Sequence, residues 1–81
     1  DKLLRIGYIM YKIYTQNNCG YCVAAKNLLD IKGEQYEEIH LEDNPDAKNK
    51  LKQDGLRTVP QIWLDEEYIG GYVELERRYN V

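Results

Sequence analysis

The alternation of bulky and polar positions divides the 81-residue chain into short elements. In MYKIYT, residues 10–15, β-forming residues alternate with polar ones, which predicts a strand. The run QNN breaks that pattern. From Gly20 onward YCVAAKNLLDIK changes to helical spacing, with Cys22, Ala25, Leu28 and Leu29 on one face. Gly33, just beyond Lys32, suits the left-handed residue that follows a helix end. Tyr36 to Leu41 predicts a second strand, with Tyr36, Glu38 and His40 alternating against Glu37, Ile39 and Leu41. Together these segments make a β-α-β unit, whose crossover should be right-handed and whose strands should be parallel.

Asn44-Pro45-Asp46 reads as a helix entry: an Asn N-cap, Pro at the first helical position and an acidic residue near the positive end of the dipole. The helix that follows, AKNKLKQ, is mostly polar, leaving only an edge around Ala47 and Leu51 for burial before Gly55 ends it. After TVP, the segments QIWL and EYI flank Asp65-Glu66 and predict an antiparallel hairpin. Gly70-Gly71 interrupts the chain before a last helix from Tyr72 to about Tyr79. The order β-α-β-α-β-β-α predicts an α/β fold with a four-stranded mixed sheet and helices on both faces. No repeat, linker or low-complexity run divides it, so residues 10–81 are expected to form one domain. Tyr11, Tyr14, Tyr36 and Trp63 fall on strands and read as core or rim packing. With no Phe in the chain, tyrosine is the ordinary bulky residue here.

Composition narrows the function classes. The chain is 43% hydrophobic and 31% charged, as in an ordinary globular domain. Its net charge is −3, and its eleven Lys and Arg are gathered into no single block. That argues against general binding to nucleic acid or a membrane surface. No stretch is long and apolar enough to span a bilayer. The first nine residues, DKLLRIGYI, lack the apolar core and cleavage site of a signal peptide. Met10, the single methionine, stands directly before the first strand. It is read as the natural start, and residues 1–9 as a leader or artificial remnant; a strand-lengthening extension is the alternative.

The chemistry sits in NNCGYCVAAK. Cys19 and Cys22 are the only cysteines, and three readings compete: a structural staple, a metal clip and a redox couple. A bridge across three residues closes too short a loop to remove much unfolded-state entropy, which weakens the staple. A structural zinc needs four ligands, and His40, the lone histidine, reads as solvent-facing polar filler on a strand. Two chains pooling thiolates around an iron–sulfur cluster remain a separate reading. The redox reading fits best. Cys19 at the helix start meets unpaired N–H groups and the dipole, which stabilise a thiolate, so it is the expected nucleophile. Cys22, one turn in on the core side, is the expected resolving thiol. A lone C-x-x-C pair without an export signal also points to the cytosol.

A second feature is RTVP, Arg57 to Pro60. Proline before a strand is ordinary by itself. Beside a C-x-x-C helix, a cis Val59–Pro60 bond would turn the Val59 backbone toward Cys19, ready to pair with an extended thiol peptide. The three segments YTQNNCGYC, TVPQIW and IGGYVEL, in this order and spacing, resemble a small dithiol glutaredoxin over essentially all of residues 10–81.

The resemblance implies a thioredoxin-type fold and glutathione-dependent thiol–disulfide exchange. It implies attack by Cys19, resolution by Cys22, and a glutathione groove lined by Tyr21, Thr58, Val59 and Pro60. Val59 would pair with the tripeptide through its main chain, while Val73 and Glu74 at the start of the last helix would hold the γ-glutamyl end. Arg57 is the candidate for the glycyl carboxylate. Lys48 and Lys52 are weaker candidates, read first as a solvated helix face. Several positions depart from the family pattern. Gly20 stands where many relatives have Pro, and Gln16 takes the place of a common Lys. Val73 replaces a frequent Thr and Glu74 a frequent Asp.

The expectation is therefore a monomeric, cytoplasmic reductant of protein disulfides and protein–glutathione mixed disulfides, regenerated by glutathione and needing no metal. Its rivals are a ribonucleotide reductase donor fed by thioredoxin reductase and a dimeric iron–sulfur carrier.

Overall fold

A computed structural model describes residues 10–80. The reading of residues 1–9 as a leader lies outside the described residues. Four strands form one sheet: β1 (Tyr11–Thr15), β2 (Tyr36–His40), β3 (Gln61–Leu64) and β4 (Glu67–Gly70). Their spatial order is β2-β1-β3-β4. β1 pairs parallel with β2, with Tyr11 opposite Tyr36, and antiparallel with β3, with Ile13 opposite Ile62. β3 and β4 are the expected hairpin, turned by Asp65-Glu66, with a register irregularity at Ile62–Trp63. The helices are α1 (Gly20–Ile31), α2 (Pro45–Gln53) and α3 (Tyr72–Tyr79).

Strand alternation decides what each sheet face does. Tyr11, Ile13 and Thr15 are buried, while Lys12 and Tyr14 between them are only partly so. Tyr11, Ile13 and Ile62 form the core with Ala25 and Leu29 of α1 and Leu75 of α3. Ile13, Ala25, Leu29, Ile62 and Leu75 are fully removed from solvent. Each buried Ile or Leu among them contributes about 1.5–3 kcal/mol of transfer free energy. The opposite face carries Tyr14 edge-on to Trp63 at 5.4 Å, with Tyr68 tilted against Trp63 at 4.8 Å. α2 covers that face only partly. Leu51 is its buried residue and Ala47 is half-buried, and a cleft of about 340 Å³ separates the helix from Lys12, Tyr14 and Trp63. So polar a helix has little apolar surface with which to close it.

Two glycines are required by backbone conformation. Gly33 ends α1 at φ +73°, as its place after the helix predicts. Gly70 has φ +122°, and a Cβ there would lie 2.9 Å from Glu74 Cγ. The double glycine thus lets β4 turn directly into α3.

Three local details differ from expectation. β2 stops at His40, and Leu41–Asp43 form a 3₁₀ turn, so Leu41 is buried outside the strand. Asn44 does occupy the N-cap of α2, with Pro45 behind it, but its side chain caps nothing. Its Nδ2 instead donates to the His40 carbonyl at 2.8 Å, the local backbone competition typical of Asn. His40 is not open polar filler: it is half-buried, with Nδ1 3.3 Å from Glu42 and 3.8 Å from Asp43.

β1, β2 and α1 are also tied by polar contacts. The buried Thr15 hydroxyl donates to Glu38 Oε2 at 2.6 Å, and Lys26 Nζ reaches the same oxygen at 3.0 Å. The Thr15 bond, helped by Lys26, holds the Glu38 carboxyl below its usual 4.5 despite partial burial. The native state therefore resists a proton that the unfolded chain accepts at higher pH. The contribution of Glu38 is complete above the unfolded pKa and is lost as pH falls through the lower native one. Glu38→Gln should flatten the acid limb of stability as pH falls below the ordinary glutamate range, about pH 5 and lower, read from urea-unfolding midpoints. An unaltered limb would remove Glu38 as its source.

Candidate active site

The site is assembled where β1 delivers the chain to α1. Gln16, Asn17 and Asn18 make the bend. Asn18 adopts φ +57°, a conformation Asn tolerates better than most residues. The Asn17 N–H donates to the Glu42 carboxylate at 2.9 Å, which ties the loop to the turn after β2. Cys19 is the N-cap of α1 in extended conformation, and its sulfur accepts the Cys22 N–H at 3.0 Å. A sulfur rather than a hydroxyl thus satisfies one of the open amides of the first turn. Cys22 lies one turn inward and is 2% exposed, while Cys19 remains partly accessible. The two are joined in a disulfide with Cα atoms 5.2 Å apart. The expected asymmetry between an outer and an inner sulfur is present in the geometry.

The TVP segment lies against this helix start. Val59–Pro60 is cis, and the Val59 carbonyl stands 3.7 Å from Cys19 Sγ. Gln61, buried at the start of β3, holds the segment: its Nε2 donates to the Thr58 carbonyl at 2.9 Å and to Thr58 Oγ1 at 3.1 Å. The Tyr68 hydroxyl donates in turn to Gln61 Oε1. On one side of Thr58-Val59 opens a cleft of about 250 Å³ with Leu41, Leu51 and Leu56 in its lining. Gln16, Lys48, Lys52 and Arg57 line it as well. Both lysines therefore face the TVP segment, not merely solvent.

The start of α3 lies on the other side of the segment. A Cβ on Gly71 would come 3.5 Å from the Pro60 carbonyl. Glu74 Oε1 accepts the Gly71 N–H at 2.8 Å, half of a capping box, since Gly71 has no side chain to return the bond. This bond and one from its own backbone amide hold the Glu74 carboxyl below its usual value. Tyr21, 65% exposed, stacks on Tyr72 with ring centroids 5.9 Å apart. The pair lines a shallow open hollow with Gly20 and Ala24. Val73, 47% exposed, adjoins the pair in sequence.

The structure thus gathers Cys19, Cys22 and Val59 at one point, puts Gln16, Arg57 and Thr58 in one cleft, and brings the α3 start beside Pro60. Tyr21 belongs to the separate hollow on the other flank. Three contributors were not identified from the sequence: Gln61, Glu42 and Tyr72. Gln61 left one signal, a polar residue at the start of an apolar strand. Glu42 and Tyr72 left none. Among the described residues, no three His, Cys, Asp or Glu side chains are grouped to hold a metal. No helix among them is long and apolar enough to cross a membrane.

The glutaredoxin family model matches residues 11–69. The chain belongs to the glutaredoxin family. It is 42% identical to the glutaredoxin of Pseudomonas aeruginosa over 64 residues, spanning 78% of this chain and 76% of that one. Among solved structures, the buckwheat glutaredoxin–glutathione complex superposes with a TM-score of 0.74 at 29% identity, over 85% of this chain and 66% of that one. The NrdH-redoxin of Escherichia coli, described as glutaredoxin-like with a thioredoxin-like activity profile, gives 0.76 at 25% identity over 89% and 95%. The thioredoxin-like fold and the C-x-x-C pair make this glutaredoxin a thiol–disulfide oxidoreductase.

The cap geometry bears on Gly20, the first residue of α1. A Cβ at Gly20 meets nothing within 4 Å. Cys19, at φ −123° and ψ 101°, already has the backbone required of a residue before proline. Gly20→Pro should therefore fold and gain about 0.4–1 kcal/mol by restricting the unfolded chain. For so small a domain that is a rise of a few degrees in the melting midpoint, about 2–8 °C. A lower midpoint would show that the Gly20 N–H serves a bond.

Proposed function

We propose that this glutaredoxin is a dithiol reductant regenerated by glutathione, acting on protein disulfides and on protein–glutathione mixed disulfides in the cytosol. The observation carrying this reading is the Cys19 sulfur, capped by the Cys22 amide and standing 3.7 Å from the Val59 carbonyl. A thiol substrate bonded to Cys19 would lie along the Val59 main chain, whose N–H and C=O offer the pairing an extended tripeptide needs. The glutathione complex of the buckwheat relative supports the same ligand here.

In this reading Arg57, with Lys48 or Lys52, receives the glycyl carboxylate, and Gln16 supplies a neutral contact. The first N–H groups of α3 at Val73 and Glu74 receive the γ-glutamyl carboxylate. The Glu74 oxygen not engaged by Gly71 faces the ammonium, and Thr58, Pro60 and Tyr21 shape the walls.

The chemistry follows from the asymmetry of the pair. In the reduced protein the Cys19 thiolate, stabilised by the helix start, attacks one substrate sulfur. The substrate S–S bond breaks, and the departing sulfur leaves with the electron pair and takes a proton. A mixed disulfide remains on Cys19. Cys22 then loses its proton and attacks the Cys19 sulfur, closing the internal disulfide and releasing the second substrate thiol. Two electrons pass from protein to substrate. Two glutathione molecules reverse the change and leave as glutathione disulfide.

A second reading, a donor reduced by thioredoxin reductase, is favoured by the likeness to NrdH-redoxin and by neutral Gln16 in the cleft. One experiment separates them. Cys19→Ser should abolish every exchange reaction, because a serine hydroxyl is far too basic to replace the thiolate. Cys22→Ser should keep glutathione-driven deglutathionylation of a protein near its normal rate while losing reduction of a protein disulfide. Loss of both activities in Cys22→Ser, with turnover by thioredoxin reductase in the unaltered protein, would favour the second reading.

A further inference from the structure

The cleft beside Thr58-Val59 holds more positive charge than glutathione can use. Lys48 and Lys52 are one helical turn apart on α2, so both project toward the same side, and Arg57 joins them from the loop. Among the described residues no acidic side chain lines this cleft, although the chain as a whole carries a net charge of −3. None of the three side chains makes an ion pair or a hydrogen bond among the described residues. Lys50 on the same helix is different: it faces Asp54 at 3.9 Å and lines the other cleft, where Asp54 and Asp65 balance it and Lys12. The cations are therefore segregated toward the nucleophile's side of α2. Glutathione ends one residue past its cysteine, so it brings a single carboxylate to that side. A polypeptide bonded to Cys19 continues past that point.

We propose that this cleft is a specificity subsite for protein disulfides whose cysteine is followed by acidic residues. The inference rests on the glutathione reading only for its direction: the chain after the bound cysteine runs toward Arg57, and the chain before it toward α3. Aspartate or glutamate one to three residues after the cysteine then meets Arg57, Lys52 and Lys48 in turn. At the opposite end the exposed Glu74 carboxylate disfavours an acid placed before the cysteine. The leucines in the cleft lining add shape without charge and lower the local dielectric, so the attraction is less screened than on open surface.

The step itself is the exchange already written. Cys19 forms a bond to the peptide sulfur, the peptide S–S bond breaks, and Cys22 displaces the peptide. The two electrons come from the reduced protein and the protons end on peptide thiols. Acidic flanks accelerate it by stabilising the mixed disulfide and the approach to it.

The test uses the full chain, reduced beforehand with dithiothreitol and freed of it, in single-turnover reactions with symmetric disulfides of two synthetic peptides. The first is Ala-Ala-Cys-Asp-Glu-Ala; the second carries the same acids before the cysteine, Ala-Glu-Asp-Cys-Ala-Ala. Both have the same charge, and no glutathione is present. The first should react about three- to tenfold faster, the scale of one or two partly screened ion pairs, and the ratio should shrink as salt rises. Lys48→Gln with Lys52→Gln should bring the ratio of the two peptide rates close to one, the two peptides serving as each other's control for any general change in the variant. Equal rates for the two peptides, or a preference for the second, would overturn the proposal. So would a preference that the double lysine variant retains. Glutathione-driven turnover of the neutral disulfide of 2-mercaptoethanol, measured separately, distinguishes failure of the subsite from failure of the glutathione reading.

Discussion

The bond from the Cys22 amide to the Cys19 sulfur is the interaction around which the active end is arranged. It requires a helix that begins at Gly20 and a residue before it in extended conformation, and β1 supplies both conditions by ending at Thr15 and turning through Asn18. Once the sulfur takes the cap position, the outer cysteine faces the TVP segment and the inner one is enclosed by the core. The difference in exposure between two residues three apart therefore comes from helix geometry. An anion on the cap sulfur would be stabilised by the same amides that leave the second sulfur no comparable partner.

That cap is held in place from several directions. Core packing of Ala25, Leu29 and Leu75 against Ile13 and Ile62 seats α1 and α3 on one sheet face. The Glu42 bond to Asn17 anchors the approaching loop, and Gln61 anchors Thr58 on the facing segment. The Glu42 anchor joins parts of the chain that are distant in sequence, so it depends on the sheet order, whereas the Gln61 anchor is local. β1 between β2 and β3 puts the ends of all three strands around one point. A central strand with neighbours on both sides is the least free to shift, which suits it to carry the loop that leads to Cys19.

Charge is distributed to the same end. The chain is acidic overall, yet among the described residues the charged side chains lining the cleft between α2 and the TVP segment are all cations. α2 makes this possible by dividing its lysines: Lys50 turns toward Asp54, while Lys48 and Lys52 turn toward Arg57. A mostly polar helix that buries little is often read as filling. Here its thin apolar edge at Leu51 holds the helix in place and leaves two of its lysines facing the TVP segment.

Much of this was already contained in the sequence. Period-two and period-3.6 patterns, the Asn-Pro entry and the glycine breaks marked all seven main elements, because each reflects local backbone preference or one buried face. The C-x-x-C at a helix start carried its chemistry too, since three residues of spacing are enough to put two sulfurs on one side. The tertiary structure decided the rest. Asn44 turned its amide back to His40 instead of capping α2, a choice between near-equal local bonds that depends on the 3₁₀ turn before it. His40 came to face Glu42 and Asp43 only because that turn folds back. Lys48 and Lys52 looked like a solvated face until the position of α2 set them beside Arg57. Glu42 and Tyr72 act through partners 25 and 51 positions away along the chain, and Gln61 is itself held by Tyr68 across the β3–β4 hairpin. Local pattern determines which conformation a segment prefers; only packing determines which distant side chain it will meet.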